Sequence, residues 1–155
     1  MPVLRPLNTC LSGNRIQAIS GIVNGSTNYL LTRMEKSGLS FPAALGEAKL
    51  LGYVEGNPDA DLEGWDARRK LAILCNTAFG AKFSDDRKIP ATGIKSITEA
   101  DFERAHALGG TVKLIAHARR AAGGIDERIA STSSSVVIIG LSARRLTIAF
   151  AICGA

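Results

Sequence analysis

Downstream of Lys70 the chain runs through Leu71-Ala72-Ile73-Leu74-Cys75-Asn76-Thr77-Ala78-Phe79 without a charge, while Glu55, Asp59, Asp61, Glu63 and Asp66 crowd the approach to it. The spacing predicts a helix that starts near Asp61 or Leu62, runs through Trp65, Leu71, Leu74 and Ala78 to Phe79, and is ended by Gly80. A helix that is apolar all round is a buried one. The rest of the chain must therefore enclose it, leaving the charges gathered at its mouth.

The enclosing elements are marked by turn and cap chemistry. Arg15 to Val23 is rich in β-branched residues between Gly13-Asn14 and Asn24-Gly25, which predicts a strand followed by a turn. Thr27 to Met34 carries apolar residues at helical spacing and stops near Gly38. Ser40 is placed to cap a second helix, Phe41 to Leu51, with Gly52 where φ can turn positive. Tyr53 to Asp61 is interrupted by glycine and proline and reads as an acidic loop. Thr98-Glu99-Ala100-Asp101 resembles a capping box opening a helix that ends at Gly109-Gly110. Thr111 to His117 then reads as a strand and Gly123-Gly124 as a turn. Beyond Ile125 a polar run, Ser131 to Ser135, precedes two apolar runs, Val136 to Ile139 and Leu146 to Cys153, which suggest a hairpin. This irregular alternation favours an α+β fold, a sheet covered by helices on one face, over a strict βαβ series.

Composition narrows the classes of function. With 155 residues the chain fits one domain, and 46% apolar against 21% charged residues is ordinary for a globular protein. The net charge of +5 comes from scattered pairs such as Arg68-Arg69, Arg119-Arg120 and Arg144-Arg145 rather than a basic stripe, so no nucleic-acid partner is expected. Cys10, Cys75 and Cys153 are odd in number and widely spaced, which fits a reducing compartment and no disulfide framework. With only His106 and His117 present, no metal site is expected, and His117 reads as a strand-face residue. Met1 to Pro6 lacks the pattern of a secretory signal, and Val136 to Cys153 is broken by Ser142 and Arg144-Arg145. A cytoplasmic chain with no membrane partner is expected.

Asp66 and Lys70 lie four residues apart and share one helix face. Carboxylates facing a lysine at the mouth of a buried helix suit a small cationic group beside a proton donor. On spacing alone the pair reads first as an ordinary surface ion pair, and the acids as partners of a helix dipole. Asn24-Gly25-Ser26-Thr27 reads as a turn capping a helix, whose backbone donors also suit a ligand oxygen. Neither GxGxxG after a strand nor GxxxxGK[ST] occurs, so no nucleotide site is expected within the chain.

Two long motifs add a resemblance. Ala48, Gly52, Tyr53, Glu55, Pro58, Asp61, Leu62, Gly64, Asp66 and Lys70 fit the pattern A-x3-G-Y-A-E-x-D-P-x2-D-[LIV]-x-G-x-D-x3-K of homoserine dehydrogenases. Gly21-Ile22-Val23-Asn24-Gly25-Ser26-Thr27-Asn28-Tyr29-Leu30-Leu31 resembles the same family's G-I-x-N-G-T-T-N-Y-I-L. The likeness extends more weakly through Ile89 to Ile94 and Lys113 to Ala116. Val54, Asn57 and Ser26 depart from the family residues without removing a proposed catalytic group.

The resemblance implies the family's catalytic, substrate-binding domain over residues 1–124. It implies interconversion of L-aspartate 4-semialdehyde and L-homoserine, on the route to threonine and methionine, with NADP or NAD held mainly by a nucleotide-binding domain that this chain lacks. Lys70 would donate the proton with Asp66 beside it; Glu55, Asp61, Gly25, Ser26 and Tyr53 would bind substrate; a homodimer would form through the catalytic domain. Residues 125–155 do not resemble the family and are expected to be a divergent or frame-shifted tail. The isolated chain is expected to be inactive. A non-catalytic remnant that serves only in dimerisation, and an unrelated small-ligand module, are the competing readings.

Overall fold

A computed structural model describes residues 2–54, 56–80, 85–121, 124–134 and 146–151. The elements in order are α1 (Leu4–Asn8), β1 (Ile16–Ile22), α2 (Gly25–Ser37), α3 (Phe41–Leu50), α4 (Asp59–Leu62), α5 (Trp65–Phe79), a 3-10 turn (Asp86–Lys88), α6 (Glu99–Ala107), β2 (Thr111–Ala121), β3 (Gly124–Ser134) and β4 (Leu146–Ala151). The strands form one sheet in the order β3-β2-β1-β4. β2 runs antiparallel to both β1 and β3, and β4 lies parallel to β1. This is the expected α+β arrangement.

Along β2 the side chains of Val112, Leu114, Ala116 and Ala118 are buried while their alternates are not. That period of two leaves one face of the sheet for the helices, and α2, α5 and α6 all pack on β2. One face of the uncharged part of α5 fills the centre, with Leu71, Leu74 and Cys75 fully buried beside Ile19, Leu30, Leu31 and Ile94. Ile73 and Asn76 are exposed, so the helix is covered on one side rather than enclosed all round as expected. Asn24 caps α2 by accepting a hydrogen bond from the Thr27 amide, and Gly38 and Gly80 end α2 and α5 at φ 59° and 65°. The capping box at α6 forms through Asp101, whose carboxylate accepts from both the amide and the hydroxyl of Thr98.

Three further expectations are adjusted. The helix expected from Asp61 or Leu62 to Phe79 is two helices, α4 and α5, because Gly64 sits at φ 77° and breaks the helical run. The loop expected to Asp61 accordingly ends sooner, at Pro58. Ser40 precedes α3 as expected, but its hydroxyl makes no capping bond. In the region of the expected hairpin, Leu146–Ala151 pairs with β1; Val136 to Ile139 lies outside the described residues, as do Cys153 and Gly123. His117 lies on β2 opposite Ser20. Among the described residues no helix is long and apolar enough to cross a membrane.

Candidate functional site

The end of β1, the start of α2, the short α4 and the first turns of α5 meet at Asn24. Its side chain is buried, 4% exposed, and fully committed. The amide donates to Asp61 Oδ1 at 2.8 Å and to Asp66 Oδ2 at 3.0 Å. Its carbonyl accepts from the Thr27 amide at 3.0 Å, with Ser26 Oγ at 2.7 Å and Thr27 Oγ1 at 3.1 Å within hydrogen-bond reach. Ser26 Oγ also reaches Asp61 Oδ2 at 2.6 Å. One neutral side chain thus joins two carboxylates that would otherwise repel.

Lys70 completes the group. Its Nζ lies 2.5 Å from Asp66 Oδ2 and donates to the Val23 carbonyl at 3.2 Å. The amine therefore points back across α5 toward the β1–α2 turn rather than out into solvent. Among the described residues the ammonium is thus held by one ion pair and one hydrogen bond to a backbone carbonyl. The lysine side chain is 33% exposed, so solvent still reaches it.

The acidic residues divide in two. Asp59 and Glu63 both bind Lys95, each at 2.8 Å. At 100° per residue, positions four apart share a helix face and the one midway between lies on the opposite side. α4 thus sorts Asp61 to the site and Asp59 with Glu63 to Lys95, whose pKa the two carboxylates raise above its ordinary value. Glu55 lies outside the described residues.

Beside Ser26 opens a cavity of about 270 Å³ lined by Gly25, Ser26, Asn28, Tyr29, Thr32 and Tyr53. Tyr53 stacks on Tyr29 with ring centroids 4.4 Å apart. A Cβ added at Gly25 would meet nothing within 4 Å, so the turn opens onto free space. Lys70 and Asp66 are not part of this cavity's wall; Ser26, Asp61 and Asn24 connect it to them. Of the residues expected at a site, the fold gathers Lys70, Asp66, Asp61, Ser26 and Gly25, and places Tyr53 in the lining of the adjoining cavity.

Sequence reasoning misses Asn24, Tyr29 and Lys95. It assigns Asn24 only to a helix cap, and the one signal of more is its place inside the motif that carries Gly25 and Ser26. No local pattern marks Lys95, which meets its partners only through the fold.

A family model of homoserine dehydrogenase matches residues 2–150. The chain is 45% identical over 120 residues to the homoserine dehydrogenase of Mycobacterium bovis, covering 77% of this chain and 27% of that protein. Its structure superposes on a homoserine dehydrogenase from Thiobacillus denitrificans with a TM-score of 0.81 at 39% identity, covering 85% of this chain and 30% of the other. A hyperthermophilic archaeal homoserine dehydrogenase mutant in complex with NADPH is similar at 29% identity and a TM-score of 0.66, over 88% of this chain and 38% of that one. The chain spans only about a third or less of the length of the first two relatives.

Proposed function

The chain belongs to the homoserine dehydrogenase family, and from that premise we propose that it forms the substrate side of a nicotinamide-dependent oxidoreductase interconverting L-aspartate 4-semialdehyde and L-homoserine. The observation that carries this reading is the Lys70 ammonium, fixed between Asp66 and the Val23 carbonyl where β1, α2 and α5 meet.

The cofactor is NADP or NAD, and bound nicotinamide supplies or accepts the hydride. Among the described residues the one strand-to-helix crossing, β1 to α2, has its first turn closed by the Asn24 side chain. That crossing is not the glycine-rich cradle a pyrophosphate needs, so the dinucleotide is held elsewhere in the assembled enzyme. This chain contributes groups that act on the substrate. Reduction of an aldehyde builds negative charge on its oxygen, and a cationic donor already aimed at that oxygen stabilises it without reorganisation. Lys70 gives the oxygen its proton and is recharged from solvent. Asp66 holds the lysine, and Asn24 holds Asp66. Asp61 and Glu55 take the substrate ammonium, since each carboxylate oxygen of Asp61 keeps acceptor capacity beyond its bond to Asn24 or Ser26. Gly25, Ser26 and Tyr53 line the substrate's approach.

The enzyme works in the cytoplasm, in the synthesis of threonine and methionine, as a dimer joined through this domain. The test is calorimetric titration of the chain with L-homoserine, followed by turnover in a form reconstituted with a nucleotide-binding domain. Binding is expected, and Lys70→Ala is expected to lower turnover by about 10²- to 10⁴-fold while folding is retained. No binding, or near-normal turnover without Lys70, overturns the assignment.

A further inference from the structure

Tyr29 is gripped from two directions by one neighbouring helix and the residues just beyond it. Its hydroxyl donates to Glu47 Oε1 on α3 at 2.5 Å, and its ring face meets Tyr53. Tyr53 is itself anchored at the end of α3, where Gly52 turns the chain at φ 75° and the Tyr53 amide donates to the Ala48 carbonyl at 2.9 Å. Glu47 is held in turn by Arg33, one turn further along α2 than Tyr29. Arg33 Nη2 donates to Oε2 at 2.8 Å, Nη1 donates to Ser37 Oγ at 2.9 Å, and Nε lies 2.7 Å from Oε1 but off the donation direction.

A tie between two helices requires no cavity, yet Tyr29 and Tyr53 are both walls of the cavity that holds Gly25 and Ser26. Neither ring is fully buried, so stacking alone is a weak restraint on either. Exposed ion pairs contribute little singly. Here one carboxylate takes a phenol and a guanidinium together, a geometry that fixes direction as well as distance.

We infer that Glu47 is a positioning residue for this site: it orients Tyr29, and through the ring stack Tyr53, as the aromatic wall against which the amino-acid substrate is held. The inference rests on the proposed function. It extends the site to α3, which contributes no group to the reacting atoms. The tyrosine hydroxyl must stay protonated to make the bond, and the carboxylate behind it favours that form.

The chain contains just two tyrosines, so its near-ultraviolet tyrosine circular dichroism reports on this stack. The experiment measures that signal and calorimetric affinity for L-homoserine in the full chain carrying Glu47→Leu or Glu47→Gln. Glu47→Leu is expected to lose the stack signal and bind about tenfold more weakly. Glu47→Gln keeps an acceptor for the phenol and is expected to recover most of both. Retention of the stack signal in Glu47→Leu, or its loss at unchanged affinity, overturns the inference. Should Glu47→Leu fail to fold, Tyr29→Phe keeps the ring and drops the hydroxyl; wild-type affinity in that variant overturns the inference equally. A wild-type chain that binds no L-homoserine overturns the proposed function and this inference with it, whereas binding unaffected by the variants removes only the role of Glu47.

Discussion

Asn24 does for the site what no charged residue there is able to do. Asp61 and Asp66 come from different helices and converge on one point, where two carboxylates alone would repel each other. The Asn24 amide gives each a hydrogen, and its carbonyl collects Ser26 and Thr27. Asn24→Asp preserves shape and helix-capping ability but turns both donors into acceptors facing carboxylates. It is expected to cost about 1–3 kcal/mol at neutral pH. The loss should shrink in acid, where the introduced carboxyl group takes up a proton and regains a donor. Urea unfolding at the two pH values checks this, and an unchanged neutral midpoint would sink the reading.

At the level of elements, α4 shows how a piece too short to be stable alone is fixed from outside. Four residues do not repay helix nucleation, yet α4 carries Asp61 into the site. Its other side is held by the stretch from Gly93 to Lys95. The Ile94 amide donates to the Leu62 carbonyl at 2.8 Å, and a Cβ at Gly93 would lie 2.0 Å from that same oxygen. Gly93→Ala therefore has to push α4 or the loop aside. The expected cost is about 1–3 kcal/mol, with weakened L-homoserine binding, read by urea unfolding and calorimetry. Lys95→Met, which removes only exposed ion pairs, is expected to move the urea midpoint far less than Gly93→Ala does. Equal effects from the two would show that packing against Leu62 is not what holds α4.

Over the whole molecule, acid is the condition that should loosen the fold. Hydrogen bonds from Arg33, then Tyr29, hold Glu47 below its ordinary 4.5. The Thr98 amide and hydroxyl hold Asp101, and Arg87 holds Asp85, below their ordinary 3.8. For Glu35 partial burial pulls upward, but Thr111, His106 and Lys113 outweigh it and the net shift is down. A carboxyl whose folded pKa is depressed stabilises the fold above its unfolded pKa, and that contribution is lost as pH falls through the folded value. Stability is therefore expected to hold above about 4.5 and to fall progressively below it. Replacing Glu47 and Asp101 together by Gln and Asn should flatten that fall in a series of urea midpoints; an unaltered slope would show that other groups govern it.

The same molecule separates what local chemistry decides from what only assembly decides. β1, α2, α3, α6 and β2 were legible because caps, breakers and side-chain periodicity act within a turn or two of the residue that carries them. Asp66 and Lys70 were legible as a pair for that reason, being four apart on α5. α1, five residues with Pro6 inside, had no periodicity to read. The parallel docking of β4 on β1, the sorting of the acids by the rotation of α4, and the meeting of Lys70 with Val23, Asn24 with Asp61 and Tyr29 with Glu47 join residues remote in the chain. By itself the sequence marked most of the helices and strands and which of their residues lie on a common face. It did not mark β3, whose polar run to Ser134 carries no strand pattern and is held by pairing with β2. The tertiary structure decided which faces meet, because contacts between distant segments depend on how the whole core closes around α5.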